Sequence, residues 1–135
     1  MAQTMHVDIE QIGAATSQGI ARSHTVFIDR PVAKGGEDRG PLGGEYQLLA
    51  LGGCFMSNLL AAIRARQADI SAVRITVSGT VDGNPQRFTA MHMKVTAKHS
   101  DADLVRKLIG IAEHGCTVSN TLRTSLDLSI SFEDS

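Results

Sequence analysis

Two cysteines, Cys54 and Cys116, are the residues of this chain with the most distinctive chemistry. A thiol is a useful nucleophile only as the thiolate, so a reactive cysteine needs a cation, a base or a helix N-terminus nearby. Cys54 follows Gly52-Gly53 and Cys116 follows Gly115, so neither has a base beside it in sequence. Free cysteine is also among the most buried residue types. Spacing alone therefore favours two inert core cysteines and leaves a reactive thiol as the alternative.

The histidines show no spacing typical of a metal site. His114 lies two residues before Cys116, but a zinc site needs three or four ligands and the sequence has no C-x-x-C pair. The glycines form no G-x-G-x-x-G phosphate loop, and no serine stands in a G-x-S-x-G motif. The sequence therefore predicts neither a metal nor a bound cofactor.

A glycine-rich loop and a long helix surround Cys54 in the sequence. Residues 34–44 contain too much glycine and proline for a regular helix or a central strand, and a loop this long in a small domain is often functional. Residues 45–67 place apolar side chains at three- and four-residue spacing, which predicts the longest helix of the chain. This helix is apolar over most of its circumference. Such a helix is normally buried on all sides, which here requires another chain or a wrapping sheet.

The remaining segments predict strands and a second helix. Residues 5–9 and 24–29 have a composition typical of strands, and residues 17–21 are predicted to link two such strands. Residues 73–81 and 88–99 alternate with period two on either side of an Asp-Gly turn, as in a hairpin. Ser100 is predicted to cap a helix for which Gly115 is the C′ residue, and residues 126–132 are predicted to form a last strand. This order of elements indicates an α+β domain.

Length and charge exclude several functional classes. The chain has 135 residues, which fits a single domain over residues 1–135. Thirteen basic and 14 acidic residues give a net charge of −1, so we expect no nucleic-acid partner. No run approaches about 18 consecutive apolar residues, so we expect no membrane span. The first ten residues lack the order of a signal peptide, and the two thiols fit a reducing cytoplasm.

Two series of residues resemble the motifs of a known family. The first is a histidine, an aspartate five residues on, a proline, G-G-x-D-x-G-P, a glutamate, leucines and a small-small-Cys triplet. Its members are His24, Asp29, Pro31, Gly35, Gly36, Asp38, Gly40, Pro41, Glu45, Leu48, Leu49, Leu51, Gly52, Gly53 and Cys54. The second lies in residues 112–122 and consists of Ala112, Cys116, Val118 and Leu122. Together they resemble the OsmC-like branch of the OsmC/Ohr family, the osmotically inducible and organic hydroperoxide resistance proteins.

This resemblance implies a fold and a chemistry. The implied OsmC-like fold is an intertwined homodimer, in which antiparallel sheets wrap around a long central helix that bears a cysteine. Cys54 is implied to be the peroxidatic thiolate, which attacks the O–O bond and becomes a sulfenic acid. Cys116 is implied to resolve it as a disulfide. The implied partners are a small organic hydroperoxide and an external dithiol reductant, lipoyl or thioredoxin-like.

The chain departs from the family's peroxidase pattern at three positions. The peroxidase branches of the family place a catalytic glutamate ten residues before the cysteine, where this chain has Gly44. Glu45 lies nine residues before Cys54, as in the OsmC-like branch, and one residue on a helix is about 100° of rotation. The orientation of Glu45 relative to Cys54 is therefore left open. Gly43 and Thr117 each stand where the family has a proline.

The family's thiolate-stabilising arginine has no motif that places it here. Arg39 is the first candidate because its loop precedes the Cys54 helix, and Arg30 and Arg22 follow. The catalytic set expected from the resemblance is therefore Cys54, Cys116, Glu45 and Arg39.

Two functions from different classes remain. The first is reduction of organic hydroperoxides, with an apolar pocket that includes Phe55, Leu51 and Met56. The second is a catalytically weak dimer that binds a small apolar or electrophilic ligand. Both retained cysteines favour the enzyme, whereas Gly44 favours the binding protein.

Overall fold

The computed structural model describes residues 2–134, and the chain divides into two compact units between Gln47 and Leu48. The first unit is a three-stranded antiparallel sheet in the order β1 (Asp8–Gln11), β2 (Ser17–Ala21) and β3 (His24–Ile28). A single 3-10 turn, Val32–Lys34, follows it. The prediction of one domain over residues 1–135 stays a prediction.

The prediction that residues 17–21 only link two strands is wrong. These residues form β2, the central strand, which pairs with β1 on one edge and β3 on the other. Gln18 and Gly19 give this segment a low intrinsic preference for the strand conformation. Hydrogen bonding along both edges outweighs that preference, because strand formation depends strongly on neighbouring strands.

Helix α1 (Gly43–Ala65) crosses the division between the units and starts two residues before the predicted bound. The second unit then contains a long antiparallel hairpin of β4 (Ile70–Asp82) and β5 (Arg87–His99). A Cβ placed on Gly52 would lie 2.8 Å from Val77 Cγ2, so the glycine lets α1 approach β4 closely just before Cys54.

Helix α2 (Ala102–Gly115) starts one residue later than predicted. Its N-cap is Asp101 rather than Ser100, because the Asp101 carboxylate accepts the N–H groups of Asp103 and Leu104 at 3.0 and 3.2 Å. A short helix, α3 (Thr117–Leu122), follows directly. No pattern in the sequence predicts α3, because six residues are too few for a helical period to show.

The core of the second unit lies between the two longer helices and the hairpin. Its buried members are Phe55, Leu59 and Ala62 of α1, Leu108 and Ala112 of α2, and Cys116. Apolar residues of the hairpin, including Ile75 and Val95, pack against them from one side of the sheet. Both cysteine-bearing segments are therefore fixed by the same apolar cluster.

One face of α1 is left uncovered. Leu49, Gly53, Met56 and Leu60 share this face at spacings of four, three and four residues, and they are called the α1 stripe below. Leu49 is 58% exposed and Leu60 45% exposed. α1 is long and apolar enough to cross a membrane, judged by length and composition alone. The mean hydropathy of its most apolar 18 residues is 1.6, and 22% of these residues are buried. Its opposite face belongs to the core of the second unit.

The prediction of a strand over residues 126–132 is wrong for this chain. Residues 125–134 form no strand, because a strand requires a hydrogen-bonding neighbour and this segment pairs with none in the described chain. The alternating apolar side chains are instead exposed, and we call residues 126–132 the C-terminal segment. The members and their exposed fractions are Leu126 62%, Leu128 79%, Ile130 94% and Phe132 87%.

Candidate functional site

Cys54 and Cys116 are free thiols that lie together in the core of the second unit. Cys54 is on α1 and is partly exposed, whereas Cys116 is fully buried between the end of α2 and the start of α3. Each thiol contributes to the pKa shift of the other, so the two side chains lie close together. The fold therefore brings together two cysteines that are far apart in sequence.

Cys116 turns the chain from α2 into α3. Its N–H donates to the carbonyl of Glu113 at 3.2 Å, and its Sγ accepts the N–H of Ser119 at 3.5 Å as the N-cap of α3. Its carbonyl accepts the N–H of Asn120 at 2.9 Å. An ion pair between Arg123 and Glu113 connects α3 back to α2. These contacts hold the first N–H groups of α3 in place beside the thiols.

The two thiols have pKa values shifted in opposite directions. The backbone N–H of Val118 is the main cause that lowers the pKa of Cys54; burial opposes it, and the Cys116 thiol and the N–H of Thr117 add to it. Burial raises the pKa of Cys116, and the neighbouring Cys54 raises it further, against the N–H groups of Ser119 and Val118. Cys54 is therefore the thiol that loses its proton more readily, and Cys116 is the one that retains it.

A buried carboxylate organises the glycine-rich loop of the first unit. Asp29 is 2% exposed, and its Oδ2 accepts the Thr16 hydroxyl at 2.8 Å and the N–H groups of Arg39 and Glu37 at 3.2 and 3.3 Å. Its Oδ1 accepts the N–H of Arg30 at 2.7 Å. Burial alone raises the pKa of Asp29, but these hydrogen bonds together lower it. The loop is thus folded around one ionised side chain.

Arg39 and Glu45 make their contacts within the first unit. The Arg39 guanidinium lies over the ring of Phe27, 5.2 Å from its centroid. The Glu45 Oε1 accepts the N–H of Leu42 at 2.8 Å, which satisfies a free donor at the start of α1. The groups that lower the pKa of Cys54 within the described chain are backbone N–H groups of α3 and the Cys116 thiol, and the role of Arg39 at the thiolate stays a prediction.

The other arginine candidates are exposed. Arg22 occupies the turn between β2 and β3 with a φ of 57°, and Arg30 follows the buried Asp29. Of the expected pocket residues, Phe55 and Leu51 are buried and Met56 lies on the α1 stripe. Within residues 2–134 no group of three or more His, Cys, Asp and Glu side chains is arranged to hold a metal.

Comparison with protein families decides what kind of protein this is. The family model for OsmC-like proteins matches residues 35–131. The chain belongs to the OsmC family. The resemblance read from the two motif series is confirmed, as is the α+β fold with antiparallel sheets and a long helix. No curated protein matches the sequence.

Solved structures share the fold of this OsmC-family chain at low sequence identity. An OsmC-like protein from Mycoplasma pneumoniae has a TM-score of 0.73 and 17% identity, over 91% of this chain and 89% of that chain. A hypothetical protein from Aquifex aeolicus VF5 has a TM-score of 0.76 and 16% identity, over 98% and 96%. An organic hydroperoxide resistance protein from Elizabethkingia anophelis has a TM-score of 0.68 and 16% identity, over 91% and 90%. These similarities show the fold alone.

Sequence reasoning missed the groups that act on the OsmC-family thiol. The N–H groups of Val118 and Thr117 carry no signature in side-chain type. One signal was available, because Thr117 stands where the family motif has a proline, and only a residue other than proline has an N–H to donate. Asp29 was recognised as a motif residue but not as the centre of the loop.

Proposed function

We propose that this protein is a thiol-dependent peroxidase that reduces organic hydroperoxides. The observation that carries the proposal is the thiol pair, in which Cys54 is partly exposed, has a lowered pKa and packs against the cluster that contains the buried Cys116. Membership of the OsmC family supports a peroxide-related role. A lowered pKa increases the thiolate fraction at neutral pH, and the thiolate is the form that attacks a peroxide.

The first step oxidises Cys54. Its thiolate attacks the terminal oxygen of the hydroperoxide R–O–O–H, the S–O bond forms and the O–O bond breaks. Cys54 loses two electrons and becomes a sulfenic acid, while the leaving alkoxide takes up a proton and departs as the alcohol. In the second step the Cys116 sulfur attacks Cys54 Sγ, and the S–O bond breaks. The hydroxyl leaves as water with the proton of Cys116.

An external dithiol closes the cycle. A lipoyl or thioredoxin-like dithiol attacks the Cys54–Cys116 disulfide and exchanges with it, so that two electrons return the protein to its thiols. This reductant places the protein in a reducing compartment, which we propose to be the cytoplasm. The raised pKa of Cys116 supports assigning the first attack to Cys54, because Cys116 is the thiol that stays protonated.

Arg39 and Glu45 complete the proposed catalytic set with unequal support. Arg39 is a cation whose backbone is fixed by Asp29, and we propose that it assists the first oxidation. Arg39→Ala is then expected to slow that step without unfolding the protein. Glu45 binds the Leu42 N–H, which supports a role in capping α1. Glu45→Ala is the discriminating variant, and an unchanged oxidation rate would assign it to capping alone.

We further propose that the working form is a homodimer. Leu49 and Leu60 of α1 are 58% and 45% exposed, and large, obligate homodimers bury apolar surface of this kind. The α1 stripe supplies an apolar surface for a second copy. A Cβ placed on Gly53 of this stripe would meet no atom within 4 Å, which leaves room for another helix.

A stopped-flow experiment tests the peroxidase. Reduced protein is mixed with one equivalent of cumene hydroperoxide or of hydrogen peroxide, and the product is read by mass spectrometry. A Cys54–Cys116 disulfide with the organic peroxide is expected for wild type, a stable sulfenic acid for Cys116→Ser, and no oxidation for Cys54→Ser. Two untouched thiols in the wild-type protein would contradict the proposal.

A second candidate function is binding of a small apolar molecule. The observation that favours it is a cavity of about 260 Å³ in the first unit, lined almost wholly by apolar atoms. Its walls include Val7, Ile9, Val26, Ile28 and Tyr46. Cavities of about 150 Å³ already hold benzene. Saturable binding of an apolar fluorescent probe by a protein that peroxide leaves unoxidised would favour this function.

A further inference from the structure

Asn58 is a polar side chain of α1 that lies near the end of α2, just before Cys116. It lies four residues after Cys54 on α1, and side chains at this spacing are neighbours on one helix face, with Cβ atoms about 5–6 Å apart. On its other side it faces the end of α2. A Cβ placed on Gly115, the residue before Cys116, would lie 4.0 Å from both Cγ and Oδ1 of Asn58. The carboxamide therefore lies where α1 approaches the end of α2.

Within residues 2–134 the Asn58 carboxamide is not among the groups that hydrogen-bond the end of α2. The end of α2 is satisfied by other groups, since Asn120 Nδ2 donates to the carbonyl of His114 at 3.1 Å and Cys116 N–H donates to Glu113. Among residues 2–134 no hydrogen bond engages the side chain of Asn58, which is partly exposed. The donors that lower the pKa of Cys54 are likewise other groups, with Val118 N–H first among them.

We propose that Asn58 is a further catalytic residue, whose carboxamide N–H donates to the oxygen that leaves when Cys54 attacks a hydroperoxide. This inference rests on the proposed peroxidase function. The backbone N–H groups of α3 stabilise the thiolate before the reaction, and Asn58 stabilises the negative charge that moves onto the leaving oxygen during it. As the O–O bond breaks this oxygen becomes an alkoxide, and the hydrogen bond from Asn58 strengthens with its charge.

An interaction that strengthens in the transition state accelerates the chemical step. Nδ2–H groups are neutral donors, so they stabilise an alkoxide without adding a charge that must itself be desolvated. Phe55, three residues before Asn58 on the same side of α1, is buried, and an apolar neighbour increases the strength of such a hydrogen bond. Loss of one well-placed donor to a developing oxyanion slows other enzymes by about 100-fold or more.

The test compares two reactions of the same thiol. In the full-length Cys116→Ser protein only Cys54 is oxidised, and its rates with cumene hydroperoxide and with iodoacetamide are measured at one pH. Iodoacetamide expels iodide and needs no donor to oxygen, so its rate reports the thiolate fraction and access alone. The variants are Asn58→Leu, Asn58→Ala and Asn58→Gln, and Ser57→Ala on an exposed position of α1 is the matched control.

We expect Asn58→Leu and Asn58→Ala to slow the peroxide reaction about 10- to 100-fold and to change alkylation less than twofold. Asn58→Gln recovers part of the peroxide rate, and Ser57→Ala changes neither rate. A peroxide rate equal to wild type in both Asn58→Leu and Asn58→Ala overturns the inference, and so does an equal loss in both reactions. If Cys54 of the Cys116→Ser protein with Asn58 intact reacts with the peroxide no faster than free cysteine, the proposed function is overturned instead.

Discussion

Leu49→Asp separates a monomer from the proposed homodimer. In the isolated chain Leu49 is a surface residue of the α1 stripe and is 58% exposed. A substitution at such a position changes the stability of a monomer by about 0.5 kcal/mol or less. If a second copy covers the stripe, the same substitution places two carboxylates in the interface.

The magnitude follows from the exposed fraction. Full burial of a leucine side chain contributes about 1.5–3 kcal/mol, so covering the exposed 58% contributes about 1–1.7 kcal/mol per chain and twice that in a symmetric dimer. Burying each carboxylate without a partner costs several kcal/mol more. We therefore expect Leu49→Asp to weaken the dimer by at least about 4 kcal/mol, which is a factor of about 1,000 in the dissociation constant.

Analytical ultracentrifugation over a range of concentrations measures this constant. Lys107→Asp, an exposed position on α2, is the matched control and is expected to leave it unchanged. Leu59→Asp is expected to unfold the protein rather than only dissociate it, because Leu59 is 2% exposed within the chain itself. Equal dissociation constants for Leu49→Asp and wild type would refute the reasoning, as would a folded wild-type monomer at micromolar concentration.

Three further predictions concern the thiols, the loop and the core. In Cys116→Ser the remaining Cys54 thiol is expected to react with iodoacetamide at a pH below the ordinary titration of cysteine. In Cys54→Ser the remaining Cys116 thiol is expected to react only at a pH above that titration. Profiles of alkylation rate against pH measure both. Because folding lowers the pKa of Asp29, its stabilising effect is fully present above the pKa of the unfolded carboxyl and is lost as the pH falls through the lower folded value. Asp29→Asn should remove the part of the loss of stability at low pH that comes from Asp29. Denaturant unfolding at several pH values measures this, and the same pH dependence of the free energy of unfolding in the variant and in wild type would contradict the prediction. Leu108→Ala should lower the free energy of unfolding by about 2–5 kcal/mol in a urea titration, since Leu108 is fully buried, and a loss below about 1 kcal/mol would contradict the assigned core.

The sequence predicts those elements of the fold whose residues carry their own pattern. α1, the β4–β5 hairpin and α2 were found because helical or alternating periodicity extends over ten or more residues. The sequence does not predict β2, because this segment becomes a strand through hydrogen bonds to its two neighbours. The strand predicted over residues 126–132 is wrong for the same reason, since a strand depends on a neighbour with which to pair. The alternating apolar residues of this segment favour a strand, but no strand in the described chain pairs with it.

The site was predictable only in part. The two cysteines were assigned by the family motif, because nothing in their spacing shows that they meet. The donors that lower the pKa of Cys54 are backbone N–H groups, which every residue except proline has, so side-chain types could not reveal them. Asn58 was within reach, because a polar residue four positions after a helical cysteine shares its face.

The exposed C-terminal segment gives newly made chains a hazard of aggregation. Its alternating apolar residues and unpaired backbone can add to the edge of any sheet, including that of a misassembled copy. Asp127 interrupts the segment with a charge, and Glu133 follows it. Charged residues at such places act as gatekeepers that oppose stacking of like segments. Removing the charge of Asp127 would therefore shift newly synthesised protein towards insoluble aggregates, even where the thiol chemistry of the folded protein is unaffected.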